Sequence, residues 1–133
     1  MRFLLDTNAV IALIGQKSAP LVERILECRE GDIGLPSIVA HELYYGAYRS
    51  QKIEFNLETL RLLLKDFVIV PFEREDARVS GEIRAELSGM GTPIGAYDVL
   101  IAGQAKARRQ TVITNNVGEF ERVAGLRVED WTK

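Results

Sequence analysis

Four acidic side chains stand where a folded chain could use them for chemistry. Asp6 comes directly after an apolar run, in Phe3-Leu4-Leu5-Asp6-Thr7-Asn8. Glu42 lies about two helical turns beyond a second such run, in Ser37-Ile38-Val39-Ala40-His41-Glu42-Leu43. Asp98 opens an apolar helical stretch, in Gly95-Ala96-Tyr97-Asp98, and Asn116 and Glu119 follow another run, in Thr114-Asn115-Asn116-Val117-Gly118-Glu119-Phe120. If the runs are strands of one parallel sheet, all four loops open on the same edge. Carboxylates gathered there repel: at ~4 Å the energy is about 1 kcal/mol in water and about 4 kcal/mol at an effective dielectric constant of 20. A hard cation, Mg²⁺ or Mn²⁺, relieves that repulsion through oxygen ligands. With a water and a phosphate in its shell, such an ion suits phosphodiester hydrolysis.

The elements that must hold these acids can be read from the apolar pattern. Five strands are expected, at Arg2–Leu5, Asp32–Leu35, Phe67–Val70, Thr111–Thr114 and Leu126–Val128. Phe3-Leu4-Leu5, Phe67-Val68-Ile69-Val70 and Val112-Ile113 are near-continuous apolar runs, as in strands covered on both faces. Helices are expected at Asn8–Ile14, around Leu21, Ile25 and Cys28, after Pro36, from about Glu54 to Leu64, and from near Glu73 to just before Gly89. In the last of these, Val79, Ile83 and Leu87 share a face, while Arg78, Glu82 and Glu86 are spaced for i,i+4 ion pairs. Ala96–Ala107 is apolar almost all round and reads as a buried helix. Ser88–Gly95 reads as the most flexible loop. Alternating strands and helices indicate an α/β domain with a parallel sheet, whose sites form at the carboxyl ends of the strands.

Composition narrows the possibilities without choosing among them. The chain has 133 residues, 47% apolar and 27% charged, which suits one domain spanning 1–133 with a real core. Its 17 Lys+Arg against 19 Asp+Glu exclude a strongly basic arm. Setting aside the four candidate acids leaves 15 (19 − 4) against 17, so a polyanionic substrate is not excluded. One Cys and one His rule out an internal disulfide, a cysteine zinc site and a two-histidine mechanism. No run approaches the ~18 apolar residues of a membrane span, and a signal peptide is not expected; a cytoplasmic setting fits.

Each residue also has a plainer use. Asp6 or Thr7 could cap the first helix. Glu42 could sit in a partly buried ion pair. Asp98 suits a helix N-terminus, whose dipole would also keep it ionised. Asn116 and Glu119 have capping-box spacing. His41 is expected to be structural or exposed, and Cys28 a small core filler. Tyr44, Tyr45 and Tyr48 suit a packing or subunit surface more often than a base-stacking platform. Lys106, Arg108 and Arg109 suit a solvated helix end, and Gly46 and Gly81 close packing.

Leu4-Leu5-Asp6-Thr7-Asn8, His41-Glu42-Leu43, Gly91-Thr92-Pro93-Ile94-Gly95-Ala96-Tyr97-Asp98 and Thr114–Phe120, in that order, resemble the PIN-domain ribonucleases, and within them the VapC-type toxins of toxin–antitoxin pairs. The resemblance runs to the closing Gly125–Trp131. It implies a PIN-like three-layer α/β/α fold around a central parallel five-stranded sheet. It also implies an Mg²⁺-dependent endoribonuclease, with Mn²⁺ able to substitute, neutralised by a VapB-type antitoxin. The family's acids fall on Asp6, Glu42 and Asp98; many relatives carry Asp where this chain has Asn116, and Glu119 is the acid nearby. The roles expected are Asp6 and Asp98 on the metal, Glu42 and Glu119 completing the catalytic pocket, and Thr114 and Asn116 in support. The glycine-rich approach to Asp98 resembles the subgroup that cuts initiator tRNA in its anticodon stem–loop. A homodimer is implied as well, joined with antitoxin into a larger assembly, with the helices over Ile38–Tyr48 and Ile53–Leu64 as candidate surfaces.

Other classes fit less well. A phosphatase of the haloacid dehalogenase type needs a second Asp two residues after the first, where this chain has Asn8. A receiver-like module needs its Asp after a middle strand. A PIN-like scaffold without catalysis would use the acids only to pair with a partner's cations.

Overall fold

A computed structural model describes all residues from Met1 to Lys133. Five parallel strands, β1 (Phe3–Leu5), β2 (Ile33–Pro36), β3 (Val68–Val70), β4 (Thr111–Ile113) and β5 (Val128–Glu129), lie in the order β3-β2-β1-β4-β5. Seven helices connect them: α1 (Thr7–Ile14), α2 (Ala19–Glu27), α3 (Ser37–Arg49), α4 (Ile53–Leu64), α5 (Arg74–Gly89), α6 (Ala96–Ala107) and α7 (Val117–Phe120). The chain steps outward from β1 to β2 and β3, then returns to the other side of β1 for β4 and β5. The order therefore reverses between β1 and β4, and an open parallel sheet leaves a crevice at the carboxyl ends of such a pair.

The central strands have the double-sided burial that their apolar runs predict: Leu4, Leu5, Val112 and Ile113 are buried. β3 does not, because it is an edge strand; Val68 and Ile69 are exposed although Val70 is buried. Strand limits move by one or two residues from expectation. β2 is Ile33–Pro36 rather than Asp32–Leu35, and Pro36 closes it against Val70. β5 is Val128–Glu129 rather than Leu126–Val128.

α5 packs its predicted face, with Val79, Ile83 and Leu87 buried. Its ion pair differs from the expected one: Arg78 turns back one turn to Glu75 at i,i+3, not forward to Glu82. α6 lies against α5 at very short range. A Cβ added at Gly103 would come 2.3 Å from Ser80 Cβ, so only glycine permits this approach. Gly46 and Gly81, by contrast, have open space around them and mark no close packing. Arg108 is not a solvated helix end. It donates to buried Asp76 at 2.8 and 3.1 Å and to the Pro71 carbonyl, tying α6 to α5. Cys28 sits at the edge of the core, half-buried, with Sγ donating to the Arg24 carbonyl. The Ser88–Gly95 segment is held in place: Thr92 N–H donates to Leu87 O, Gly95 N–H to Glu119, and Arg122 to Pro93 O. No helix is long and apolar enough to cross a membrane.

Candidate active site

The register of the two central strands builds the site. Leu5 pairs with Ile113, so the next residues, Asp6 and Thr114, face each other across the carboxyl edge of the sheet. Asp6 N–H donates to Ile113 O at 3.1 Å. The Asp6 carboxylate then accepts two bonds: Oδ1 from Ala9 N–H at 2.8 Å and Oδ2 from the Thr114 hydroxyl at 2.5 Å. Asp6 is thus the N-cap of α1 and keeps its place at the carboxyl edge of the sheet, so capping does not take it away from the candidate site. Thr114 is fixed in turn, its Oγ1 accepting from Asn116 N–H at 2.8 Å.

Glu42 comes from the second turn of α3 and is half-buried. It makes no ion pair; its Oε1 accepts from the Thr7 hydroxyl at 2.8 Å. Thr7, one residue past Asp6, therefore joins the second acid to the first. Asp98 sits in the first turn of α6, beside Glu119. Glu119 is anchored by both oxygens, Oε1 accepting from Gly95 N–H and Oε2 from the Asn116 amide, each at 2.5 Å. Asn116 precedes α7 without capping it; its side chain binds Glu119 instead of a helix N–H.

These positions set the charges. Burial pushes the Asp6 carboxyl up to about 6, only partly opposed by its bonds to Thr114 and Ala9 N–H, and Glu42 adds to the rise. Asp98 is pushed up to about 7, first by burial and then by the neighbouring negative charge of Glu119, with Asp6 and Glu42 contributing. Glu119 is held below the usual carboxylate range, first by Gly95 N–H and then by Asn116. Of this last pair, Asp98 holds the proton and Glu119 the charge.

The sequence thus places its acids on one edge, as expected, but not in one tight ring. No three of them are close enough to encircle an ion. Asp98 and Glu119 make one pair, and the charges of Asp6 and Glu42 reach Asp98. A donor set of this kind suits a small hard cation that keeps several waters and takes one or two carboxylates. Two carboxyls raised toward neutral pH are also what a dication would draw fully into charged form.

A cavity of about 720 Å³ opens in front of the acids, lined by Thr7, Asn8, Ile11, His41, Glu42, Tyr45, Tyr97 and Asp98. His41 is exposed and faces this cavity, which settles its choice between structural and exposed. Four contributors escaped the sequence reading: Thr7 as the partner of Glu42, the Gly95 N–H as the anchor of Glu119, and Asn8 and Tyr97 as cavity lining. Thr7, Asn8 and Tyr97 are sequence neighbours of the predicted acids, and that adjacency is the signal that could have found them.

Known proteins resemble the chain from end to end. The sequence matches the PIN domain family over residues 3–126. It is 40% identical to the tRNA(fMet)-specific endonuclease VapC of Shigella flexneri, covering 99% of each chain. Its fold matches a crystal structure of DNA-bound VapBC from Salmonella typhimurium with a TM-score of 0.94, at 40% identity and 98% coverage of both chains. It matches VapBC2 from Rickettsia felis, bound to a promoter DNA fragment, with a TM-score of 0.92 at 34% identity, covering 98% of this chain and 99% of that one. An acid and a threonine meeting at the switch point of a five-stranded parallel sheet, and these end-to-end matches, place the chain in the PIN domain family, in its VapC branch.

Proposed function

We propose that this chain is an Mg²⁺-dependent endoribonuclease toxin, that Mn²⁺ can replace Mg²⁺, and that its substrate is initiator tRNA cut in the anticodon stem–loop. The observation that carries the reading is the set of four acids, Asp6, Glu42, Asp98 and Glu119, delivered by separate segments to the carboxyl edge of the sheet, with buried Asp6 and half-buried Asp98 both raised toward neutral pH and so poised to take a cation. The substrate follows from the relatives that are tRNA(fMet)-specific endonucleases. The same relationship supports a VapB-type antitoxin as partner, a homodimer that joins it in a larger hetero-oligomer, and a cytoplasmic location. Residues 1–133 act as one PIN-like unit.

Asp6 and Asp98 would hold the ion. When bound, the ion supplies Lewis-acid stabilisation of the phosphate oxygens and lowers the pKa of an attacking water. The protein's own groups do the rest. Thr114 orients the Asp6 carboxylate through its hydroxyl and so presents the remaining lone pairs outward. Glu42, steadied by Thr7, orients the water and accepts its proton. Glu119 stays ionised and keeps the pocket negative, while Asn116 and Gly95 N–H hold it in place. Water attack on phosphorus leaves 5′-phosphate and 3′-hydroxyl ends, without the cyclic phosphate of metal-free ribonucleases.

The test is cleavage of purified tRNA by the wild type, Asp6→Asn and Asp98→Asn in Mg²⁺ and in EDTA, with the new 5′ ends sequenced. Each variant is expected to lose at least a hundredfold in rate, and EDTA to abolish cleavage. Full activity in either variant, or undiminished activity in EDTA, would defeat the reading.

A further inference from the structure

The cavity in front of the acids has a second wall that the chemistry above leaves without a task. His41 precedes Glu42 on α3, and Tyr97 precedes Asp98 on α6. Adjacent helical positions point ~100° apart, so each helix delivers an acid and a ring to different sides of one hollow. The two rings meet across it: their centroids are 5.6 Å apart at 52°, and the Tyr97 hydroxyl is 3.5 Å from His41 Nε2. A contact of that length is a weak hydrogen bond, so the rings are free to turn toward something else. Both are exposed, Tyr97 by 46%. Tyr45, one turn beyond His41, also lines the cavity, with Arg49 over its ring at 5.4 Å and donating to its hydroxyl at 3.2 Å. Arg49 has no acidic partner, so an unpaired positive charge stands on Tyr45, a residue that lines the cavity.

We propose that His41 and Tyr97 form a stacking wall for one unpaired base beside the scissile phosphate, and that Arg49, set on Tyr45, takes a neighbouring phosphate. This rests on the ribonuclease reading and adds to it the side chains that hold the nucleotides beside the cut. Exposed rings next to a catalytic hollow can stack on any base that has left its helix, and they cannot reach one still paired in a duplex. The wall therefore selects loops and single strands over continuous helix, whatever their sequence. Arg49 supplies the attraction for the backbone that the acidic pocket itself lacks.

The test uses an RNA hairpin with 2-aminopurine in its loop and a blunt duplex of the same composition. Cleavage is measured in Mg²⁺ for the wild type, His41→Ala, Tyr97→Ala, Tyr97→Phe and Arg49→Ala. Binding is measured by 2-aminopurine fluorescence in EDTA, in the Asp6→Asn background. Stacking on one base is worth about tenfold to a hundredfold in affinity. Tyr97→Ala and His41→Ala are each expected to raise KM and weaken hairpin binding by at least tenfold, while Tyr97→Phe stays within threefold. Arg49→Ala is expected to flatten the slope of log affinity against log salt by about 0.7, the effect of one phosphate contact on a single strand. Thermal stabilisation by Mn²⁺ should be unchanged in all four single variants, which separates substrate contact from damage to the acids. If KM and hairpin binding stay within twofold in both alanine variants, or if duplex and hairpin lose equally, the wall is refuted. Should the wild type cleave nothing, the ribonuclease reading fails by itself, and the binding measurements still decide the wall.

Discussion

Asp6 should weaken the metal-free fold while serving the site, and Asp6→Asn measures by how much. Asn has the shape of a protonated Asp, accepts the Ala9 N–H equally well as an N-cap, and lets the Thr114 hydroxyl rotate to accept from its amide. It lacks only the charge. A carboxyl raised from 3.8 to about 6 in the fold is harder to ionise there than in the unfolded chain. Below pH 3.8 both states are protonated and the effect vanishes. Between 3.8 and 6 the unfolded chain loses its proton first, so stability falls as pH rises. Above 6 the whole deficit is present. At about 1.4 kcal/mol per pH unit it amounts to about 3 kcal/mol. For 133 residues, an unfolding entropy of about 2.1 cal/mol/K per residue converts this to about 10 °C in Tm. Urea unfolding in EDTA from pH 4 to 8 is the assay. Asp6→Asn should match the wild type near pH 4 and exceed it by up to about 3 kcal/mol at pH 8, and Mg²⁺ should narrow the gap by stabilising the wild type alone. A variant no more stable at pH 8 than at pH 4, relative to the wild type, would refute the argument that burial strains this carboxylate.

Two further outcomes follow from the same structure. Mn²⁺ affinity of the wild type should rise as pH increases through 6 to 7, because Asp6 and Asp98 must release protons to bind it; in Glu119→Gln, which removes a negative neighbour of Asp98, that rise should shift to lower pH, and an unshifted titration would show that Glu119 does not set the charge of Asp98. Gly103→Ala should destabilise by about 1–3 kcal/mol through its collision with Ser80, whereas Gly46→Ala, a helical position with open space, should be neutral or stabilising by up to about 1 kcal/mol, both read by chemical denaturation.

Much of this protein is legible along the chain, because local physics fixes it. The runs Phe3–Leu5 and Val112–Ile113 are apolar without alternation, which only a strand covered on both faces tolerates, and they sit in the centre of the sheet. Val79, Ile83 and Leu87 repeat every four residues, so the buried face of α5 follows from spacing. Asp6, Glu42, Asp98 and Glu119 stand out because each lies near the end of a strand or the start of a helix, where a parallel sheet opens its loops. The same reasoning fails for Val68 and Ile69, since an apolar run does not say whether its strand ends up at an edge. It fails for Arg108 too, because the buried partner Asp76 lies 32 positions away and no local pattern joins them.

The order of strands was decided by the tertiary structure alone. The reversal between β1 and β4 brings Asp6 opposite Thr114 across 108 positions of sequence. Packing also anchored the acids separately, through the Thr7 hydroxyl on Glu42 and the Gly95 N–H and Asn116 amide on Glu119. The reason is that residue type and periodicity specify which groups are charged and which faces are apolar, while the distance between two charges depends on how the helices and strands finally pack. Burial then does what composition cannot: it lifts two ordinary aspartates toward neutral pH, in the place where a cation would reward their charge.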